Sequence, residues 1–186
     1  MTAPGLWVCG PRGVGKSTAG FALFLDVLRS GVPAGYVDLA QIGFLRPAAP
    51  DDPDGHRLRA CNLAGVWAAY RAAGAHCLVI SGDADQPTIA RYAAAVPDVA
   101  LAVCRLRAEP ATLRQRLRLR GEGRGPAIPG DELRGLPPAE LDALAAEAAT
   151  PLGDGGVAID TDGLTADEVA GRVRAAFGGW PGSVAS

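Results

Sequence analysis

The segment "GPRGVGKST", residues 10–18, constrains the fold more than any other part of the sequence. It matches the phosphate-binding pattern G-x-x-x-x-G-K-[ST] at Gly10, Gly15, Lys16 and Ser17. The apolar run "LWVC" precedes it, and apolar residues at helical spacing follow it. Between a buried strand and the start of a helix, the amides of such a loop point inward at phosphate oxygens. The sequence therefore predicts a strand, loop and helix that bind phosphate groups.

Lys16 is the only lysine, whereas the other 17 of the 18 basic residues are arginines. A lysine ammonium is a compact charge that can reach the β- and γ-phosphates of a nucleotide, whereas a guanidinium is bulkier and favours a forked geometry. We expect Lys16 to be catalytic, with ATP and Mg²⁺ as cofactors. Ser17 is predicted to bind Mg²⁺, and Thr18 to contact the α-phosphate. The remaining loop residues predicted to bind the nucleotide are Gly10, Arg12, Gly13, Val14 and Gly15.

The single lysine also disfavours one class of nucleotide-binding protein. A GTPase usually carries an N-K-x-D segment that recognises guanine. That segment cannot occur here, because the lysine lies in the phosphate-binding loop. A GTP-dependent switch is therefore disfavoured.

Length and composition predict one globular domain. The chain has 186 residues, of which 48% are hydrophobic and 20% are charged, and its formal net charge is -2. Neither sign of charge dominates, which gives no electrostatic case for a nucleic-acid or membrane-surface partner. The four cysteines show no C-x-x-C spacing and are expected to be buried in a reducing compartment. We expect a cytoplasmic monomer or homodimer.

Short apolar runs alternate with longer amphipathic stretches, which is typical of an α/β protein with a mostly parallel sheet. The predicted strands are "LWVC", "AGYVDLA", "HCLVIS", "VALAVCRLR" and "GVAID". Helices are predicted between them, with Asp85 as a cap of one and Thr165 with Glu168 as a capping box of the last. Residues 121–138 are rich in Gly and Pro and are predicted to form a long loop.

Three further segments accompany the phosphate-binding loop: "YVDLAQIG", "LRQRLRLRGEGR" and "AIDTDGLTADEVA". With them, the chain from Leu6 to about Phe177 resembles the small P-loop kinases. This nucleoside monophosphate kinase-like group includes shikimate and gluconate kinases, adenylate kinase and chloramphenicol phosphotransferase. The resemblance implies a three-layer P-loop NTPase fold, with a five-stranded parallel sheet of order 2-3-1-4-5, flanking helices and a lid.

The resemblance also implies how the chain is organised. It predicts a single domain over residues 1–178 and a frayed tail over residues 179–186. Within the domain, the acceptor-binding segment is expected at about residues 41–72 and the lid at about residues 116–138.

Asp38 closes the second predicted strand, where hydroxyl-phosphorylating members of this group have a carboxylate beside the acceptor. A carboxylate can accept the proton of an alcohol, or orient its hydroxyl, as the phosphoryl group arrives. A monophosphate acceptor is already ionised and needs no base. Asp38 is therefore predicted to be catalytic and favours a hydroxyl acceptor. The alternative is that Asp38 only caps the following turn.

The resemblance assigns two arginines of the fourth helix to the nucleotide. Arg116 is expected to pack against the adenine, and Arg120 to contact the phosphates and offset negative charge during the reaction. An arginine plane stacks on rings and its fork binds phosphate oxygens, and the four-residue spacing puts both side chains on one helix face. Asp160 and Thr161 are expected to border the adenine. The alternative for the arginines is a solvated helix surface.

The third strand departs from the usual pattern. Ser81 stands where many P-loop ATPases have an aspartate on the magnesium side, and Asp83, two residues later, is the candidate to act on Mg²⁺ through water. The alternative for Asp83 is that it only begins the following loop. Ser81 and Gly82 are alternatively expected to line the acceptor pocket. Further acceptor-binding candidates are Arg46, His56, Arg57 and Asn62, although mixed charge in such a loop is usually solvated.

These residues predict an ATP- and Mg²⁺-dependent kinase that transfers the γ-phosphoryl group to a hydroxyl of a nucleoside, sugar or secondary metabolite. Two alternatives remain open. One is a nucleoside monophosphate kinase whose acceptor phosphate is bound by Arg46, Arg57 or Arg59. The other is a nucleotide-binding regulatory ATPase with little kinase activity.

Overall fold

The computed structural model describes residues 2–83, 85–125, 131–149 and 156–182. The described strands are β1 Ala3–Cys9, β2 Ala34–Asp38, β3 Cys77–Ser81, β4 Val99–Arg107 and β5 Val157–Asp160. The described helices are α1 Lys16–Arg29, α2 His56–Ala72, α3 Gln86–Ala95, α4 Pro110–Gly121, α5 Pro138–Ala148 and α6 Ala166–Ala176. Strands and helices thus alternate along most of the chain, as the sequence predicts.

The five strands form one sheet of order β2-β3-β1-β4-β5, which confirms the predicted fold class. Every neighbouring pair is parallel. β1 lies in the middle, where Trp7 is in register with Ile80 of β3 and with Val103 of β4. Parallel neighbours need crossover connections, and the helices supply them on both faces.

Alternating side chains of β1 divide the core into two parts. Leu6 and Val8 belong to a core shared with α1 and α6, whereas Trp7 and Cys9 belong to a core shared with α2 and α3. All four side chains are fully buried. Because successive strand residues point to opposite faces, a continuous apolar strand is buried by helices on both sides. The result is the expected three-layer arrangement.

A third apolar cluster joins α4, α5 and the segment before α5. Leu133 is 3% exposed and packs with Leu117, Leu141 and Ala145. The predicted loop 121–138 is therefore partly anchored, because Leu133 fixes its second half to α4. Residues 126–130 of the predicted lid lie outside the described residues.

The chain beyond α6 differs from the expected tail. Trp180 is 7% exposed and packs in the core shared with α1 and α6. Arg174 fixes this segment, because its Nε donates to the Trp180 carbonyl at 2.9 Å and its Nη1 donates to Asp26 at 2.7 Å. The prediction of a frayed tail from residue 179 is therefore wrong at Trp180, while residues 183–186 lie outside the described residues.

Two predicted helix caps are confirmed. The Asp85 side chain accepts a hydrogen bond from the Thr88 amide at 2.8 Å, and Thr165 and Glu168 form the reciprocal capping box.

Among the cysteines, Cys61 of α2 is exposed, which corrects the expectation that all four are buried. No helix in the described part of the chain has both the length and the apolarity that a membrane span requires.

The loop before α2 is held by two neighbouring aspartates with different surroundings. Asp52 is 7% exposed, and its two oxygens accept hydrogen bonds from the amides of Arg57 and Leu58 in the first turn of α2, at 3.0 and 2.9 Å. These bonds satisfy amides that have no partner within the helix, and they lower the pKa of Asp52. Asp51 is exposed and pairs with the exposed Arg57 side chain.

We predict that Asp52→Ala destabilises the fold more than Asp51→Ala. Loss of Asp52 leaves two amides of α2 without their acceptor, whereas an exposed ion pair contributes little. Thermal unfolding should show a decrease in Tm of about 3 °C for Asp52→Ala and no resolvable change for Asp51→Ala. Equal effects of the two substitutions would contradict the anchoring role of Asp52.

Candidate active site

The loop between β1 and α1 has the conformation that the sequence predicts. Gly15, the residue before α1, has a φ of 99°, a left-handed conformation that side chains other than glycine rarely adopt. The first amides of α1 have no acceptor within the helix, and the helix dipole makes this end attractive to anions. Seven predicted loop residues line one cavity: Arg12, Gly13, Val14, Gly15, Lys16, Ser17 and Thr18.

Lys16 is held by three oxygens. Its Nζ donates to the carbonyls of Gly10 and Pro11 at 3.0 and 3.1 Å and lies 2.8 Å from Asp83 Oδ1. Asp83 follows β3 and its side chain is 82% exposed, whereas the Lys16 side chain is 14% exposed. The two carbonyls point the ammonium along the loop. An exposed carboxylate is a weak partner, so a polyanionic ligand can replace Asp83 at small cost.

Ser17 and Ser81 are linked through the hydroxyl of Tyr36, which donates to the Ser17 carbonyl at 3.1 Å and lies 2.8 Å from Ser81 Oγ. Burial raises the pKa of Tyr36 to about 12, so this side chain remains a neutral hydroxyl. Ser81 has no exposed surface. The structure therefore does not bring Ser81 to the cavity, whereas Gly82 does line it.

Arg116 connects the phosphate-binding loop to the turn after β5. Its Nη1 donates to the Val14 carbonyl at 3.1 Å and to Thr161 Oγ1 at 2.9 Å, and its Nη2 donates to the Thr161 carbonyl at 2.9 Å. Arg116 and Thr161 both line the cavity. Asp160 is exposed and accepts a hydrogen bond from the Asp162 amide at 2.9 Å, outside the cavity lining.

Arg120 lines the same cavity and is anchored by Asp131. Arg120 Nε donates to Asp131 Oδ2 at 2.8 Å, and Asp131 Oδ1 accepts from the Leu133 amide at 3.2 Å. The Asp131 side chain is 3% exposed. Burial alone would raise the pKa of Asp131, but these hydrogen bonds outweigh burial and lower it. The stabilising effect of this carboxylate is therefore complete above the pKa of an unfolded aspartate and is lost as the pH falls through the lowered folded pKa.

Asp38 lies at the end of β2 and lines the cavity. Its Oδ1 accepts a hydrogen bond from the Ala40 amide at 2.9 Å, so the capping role considered for it is present. This hydrogen bond uses one oxygen of Asp38 and orients its carboxylate. It is compatible with a contact between Asp38 and a ligand in the cavity. Asp38 shares the cavity with Gln41, Phe44 and Arg46 from the segment that follows β2.

His56, the first residue of α2, also lines the cavity. Its Nδ1 lies 3.2 Å from the hydroxyl of Tyr92, a fully buried residue of α3 that packs edge-on against Trp7 at 5.2 Å between ring centroids. Trp7 in turn donates to the Gly82 carbonyl at 3.2 Å. The central strand thereby positions His56 and Gly82 of the cavity lining through one aromatic contact and one hydrogen bond.

Two predicted acceptor-binding residues lie elsewhere. Arg57 makes a two-bond ion pair with Asp51 at 2.6 and 2.9 Å, outside the cavity lining. Asn62 donates to the Ile42 carbonyl at 2.7 Å and so holds the segment after β2 against α2. Gly10 is also absent from the lining, and its contribution is the carbonyl that holds Lys16.

The cavity has a volume of about 680 Å³, and its lining includes Thr161 and Arg116 as well as Phe44 and Arg46. A volume of this order accommodates a small-molecule ligand. The cavity therefore places the phosphate-binding loop and Asp38 along a single space.

Ser17 and Asp83, the two residues predicted to bind Mg²⁺, both line this cavity. Over the ranges that the structure describes, no group of three or more His, Cys, Asp or Glu side chains is arranged to hold a metal. Mg²⁺ usually binds through one or two protein oxygens together with waters and substrate phosphates. The residues present fit that pattern.

Several residues that line the cavity are not among the site residues predicted from the sequence. They are Gln41, Phe44, Arg59, Tyr92 and Asp131. From the sequence, Arg59 was considered only as one of three arginines that could bind the phosphate of a monophosphate acceptor. Tyr92 lies 36 residues from His56, and Asp131 lies 11 residues from Arg120, and no local pattern marks either residue.

Comparison with known proteins identifies solved structures that have the same fold at low sequence identity. Neither a protein-family model nor a curated protein matches the sequence. A gluconokinase from Sinorhizobium meliloti 1021 has a TM-score of 0.58 and 19% identity over 95% of this chain and 93% of its own. A tunicamycin resistance protein from Deinococcus radiodurans has a TM-score of 0.58 and 22% identity, with coverage of 95% and 96%.

A Mycobacterium tuberculosis APS kinase, solved in complex with AMPPNP and APS, has a TM-score of 0.57 and 16% identity, covering 95% of this chain and 98% of its own. Such identities establish the fold and not the reaction. The chain therefore has the fold of the small P-loop kinases, which confirms the predicted sheet order and architecture.

We predict that Asp131→Asn weakens nucleotide binding through Arg120. The substitution removes the charge that fixes Arg120 Nε, while the shape of the side chain is retained. Titration with a fluorescent ADP analogue should show a decrease in affinity of about tenfold. The matched control is Asp142→Asn. It breaks the ion pair between Asp142 of α5 and Arg118, which lies on α4 like Arg120 but outside the cavity lining.

A double-mutant cycle tests whether Asp131 acts through Arg120. If it does, Arg120→Ala combined with Asp131→Asn should bind nucleotide no more weakly than Arg120→Ala alone. Additive losses in the cycle, or an equal loss in Asp142→Asn, would contradict the positioning role of Asp131.

Proposed function

We propose that the protein is an ATP- and Mg²⁺-dependent kinase that transfers the γ-phosphoryl group of ATP to a hydroxyl of a small molecule. The observation that carries the proposal is the shared cavity of the phosphate-binding loop, with Lys16, and the Asp38 carboxylate at the end of β2. The fold supports it, since the similar solved structures include a gluconokinase and an APS kinase.

The nucleotide end of the cavity is assigned to ATP. The loop amides and Lys16 would bind the β- and γ-phosphates, and the free guanidinium nitrogens of the anchored Arg120 would offset negative charge as the phosphoryl group moves. Arg116 and Thr161, already joined by hydrogen bonds, would border the adenine. When bound, Mg²⁺ would be held by Ser17 and Asp83 and would neutralise phosphate charge.

The acceptor end of the cavity is assigned to an alcohol beside Asp38. The acceptor oxygen would form a bond to the γ-phosphorus as the bond from that phosphorus to the bridging oxygen of ADP breaks. The hydroxyl proton would pass to the Asp38 carboxylate. Hydrogen bonding from Ala40 fixes one oxygen of Asp38 and leaves the group oriented before the acceptor binds.

A second candidate function is a nucleoside monophosphate kinase. It is favoured by Arg46 and Arg59, two cations in the acceptor half of the cavity that can bind a phosphate. In this case the acceptor phosphate itself receives the phosphoryl group, and Asp38 only caps its turn.

A screen for acceptor-dependent ADP formation tests the proposed function. Purified protein with ATP and Mg²⁺ is assayed against a panel of polyols, sugars, sugar acids, nucleosides and nucleoside monophosphates, with Lys16→Ala as the control. We expect at least one hydroxyl compound to stimulate ADP formation, and Lys16→Ala to abolish the stimulation. Tight ATP binding without stimulation by any acceptor would favour a regulatory ATPase instead.

We predict that Asp38→Asn lowers kcat for the alcohol acceptor by about 100-fold or more, with little change in KM for ATP, because it removes the proton acceptor and not the nucleotide site. Steady-state kinetics of ADP formation provide the measurement. Asp51→Asn, a carboxylate of the same segment outside the cavity, should behave as the unmodified protein. Full alcohol turnover by Asp38→Asn would rule out the catalytic role of Asp38.

A further inference from the structure

The side chain of Tyr36 in β2 connects two strands of the sheet to the first turn of α1. Its hydroxyl donates to the Ser17 carbonyl at 3.1 Å and lies 2.8 Å from the Oγ of Ser81 at the end of β3. Ser17 lines the cavity, whereas Tyr36 and Ser81 do not. An effect of these two hydroxyls on a bound ligand would therefore be transmitted through Ser17.

The directions of these two hydrogen bonds follow from the groups involved. A tyrosine hydroxyl has one proton to donate, and a backbone carbonyl can only accept. The proton of Tyr36 is therefore used on the Ser17 carbonyl, and the Ser81 hydroxyl donates to the Tyr36 oxygen. Burial raises the pKa of Tyr36 to about 12, so the proton is present at neutral pH. The result is a directed chain from Ser81 through Tyr36 to Ser17.

This chain requires a donor at position 81, where many P-loop ATPases have an aspartate. An ionised carboxylate has no proton to donate, and it would accept the proton of Tyr36 itself. The Ser17 carbonyl would then lose its hydrogen bond from Tyr36. Ser81 has no exposed surface, so its hydroxyl contributes to this chain and not to a contact with Mg²⁺ or an acceptor.

The close approach of α1 to the sheet depends on Gly20, three residues after Ser17. A Cβ atom on Gly20 would lie 3.1 Å from the Cβ of Ser81 and 3.2 Å from Cε2 of Tyr36, closer than side chains usually pack. A larger residue at position 20 would push α1 away from both strands. Glycine at this position therefore keeps the first turn of α1 within reach of the Tyr36 hydroxyl.

Tyr36 also lies close to the carboxylate at the end of β2. Asp38 follows Tyr36 by two residues and is in register with Ser81 of β3. The ring of Tyr36 packs against Phe21 and Phe24 of α1, at 5.5 and 5.9 Å between ring centroids. Both the ring and the hydroxyl of Tyr36 therefore resist a shift of α1 relative to the strand that carries Asp38.

We propose that Tyr36 is a positioning residue: the hydrogen-bond chain from Ser81 through Tyr36 holds the first turn of α1, and with it the Ser17 hydroxyl, in the position required for Mg²⁺ and the phosphates of ATP. This inference rests on the proposed function and deepens it. Mg²⁺ demands near-ideal geometry and binds few protein oxygens. A small displacement of Ser17 should therefore weaken binding of the nucleotide with Mg²⁺ more than binding of the nucleotide alone.

Tyr36→Phe removes the hydroxyl and keeps the ring. We expect Mg²⁺ to raise the affinity of the wild-type protein for a fluorescent ADP analogue. Tyr36→Phe should reduce that increase about 3- to 10-fold, as expected for one lost hydrogen bond, while the affinity measured in EDTA changes little. Tyr70→Phe is the matched control, because its hydroxyl donates to the Tyr36 carbonyl at 3.3 Å and lies outside the cavity lining. It should leave both affinities unchanged.

Substitutions of Ser81 test the direction of the chain. If Ser81 acts through Tyr36, Ser81→Ala combined with Tyr36→Phe should lose no more of the Mg²⁺-dependent affinity than Tyr36→Phe alone. Additive losses would contradict the chain. Ser81→Asp should lose at least as much as Ser81→Ala, because a carboxylate accepts the Tyr36 proton. A gain of Mg²⁺-dependent affinity in Ser81→Asp would overturn the proposal and identify position 81 as a site for a metal-binding carboxylate.

Thermal unfolding separates positioning from a purely structural role. A structural role of Tyr36 would lower Tm and leave the ratio of the two affinities unchanged. An equal loss of affinity with and without Mg²⁺, no loss in Tyr36→Phe, or no effect of Mg²⁺ on the wild-type protein would each overturn the proposal.

The binding measurement needs no acceptor, so its outcome is separate from that of the proposed function. A selective loss of Mg²⁺-dependent affinity in Tyr36→Phe, without ADP formation for any acceptor, supports the positioning role and counts against the kinase assignment. Acceptor-dependent ADP formation without this selective loss overturns the positioning role alone.

Discussion

The central place of β1 in the parallel sheet determines where the site lies. All five strands run in the same direction, so their carboxyl ends and the loops that follow them meet at one edge. The loop of residues 10–18 follows β1, Asp38 ends β2, Gly82 and Asp83 follow β3, and Thr161 follows β5. The backbone hydrogen bonds of the sheet therefore hold the loop of residues 10–18, Asp38 and Thr161 close to one another.

The parts of the fold that depend on local sequence could be predicted. Strand number follows from short apolar runs, and the start of α1 from the spacing of Gly15 and Lys16. The capping residues Asp85 and Thr165 were also predicted, because a cap is a contact over three residues. Trp180 was misjudged, since a Gly-rich ending predicts fraying unless the contact of its one large side chain with the core is known.

The candidate site was predictable where one motif contains all its parts, and was not where the parts come from distant segments. The phosphate-binding loop is contiguous, and its residues from Arg12 to Thr18 line the cavity, whereas Gly10 does not. Arg120 was identified, but its partner Asp131 lies eleven residues away in a Gly- and Pro-rich segment with no periodicity. In the segment between β2 and α2, composition alone does not distinguish Arg46, Arg57 and Arg59. Only the structure shows that Arg57 pairs with a carboxylate and that the other two face the cavity.

The different uses of lysine and arginine around the cavity follow from their shapes. Arg116 spreads three hydrogen bonds from two nitrogens over the Val14 carbonyl and Thr161, and so joins two loops as a planar fork can. Lys16 directs one nitrogen at the carbonyls of Gly10 and Pro11 and at a carboxylate.

An arginine at position 16 would have to place a planar group of three nitrogens in the space that now holds the single Nζ atom of Lys16. Its fork would also compete with the loop amides for the same phosphate oxygens. In the proposed function, a chain that otherwise uses only arginine therefore keeps one lysine where a point charge would exchange a carboxylate for a phosphate without movement of the backbone.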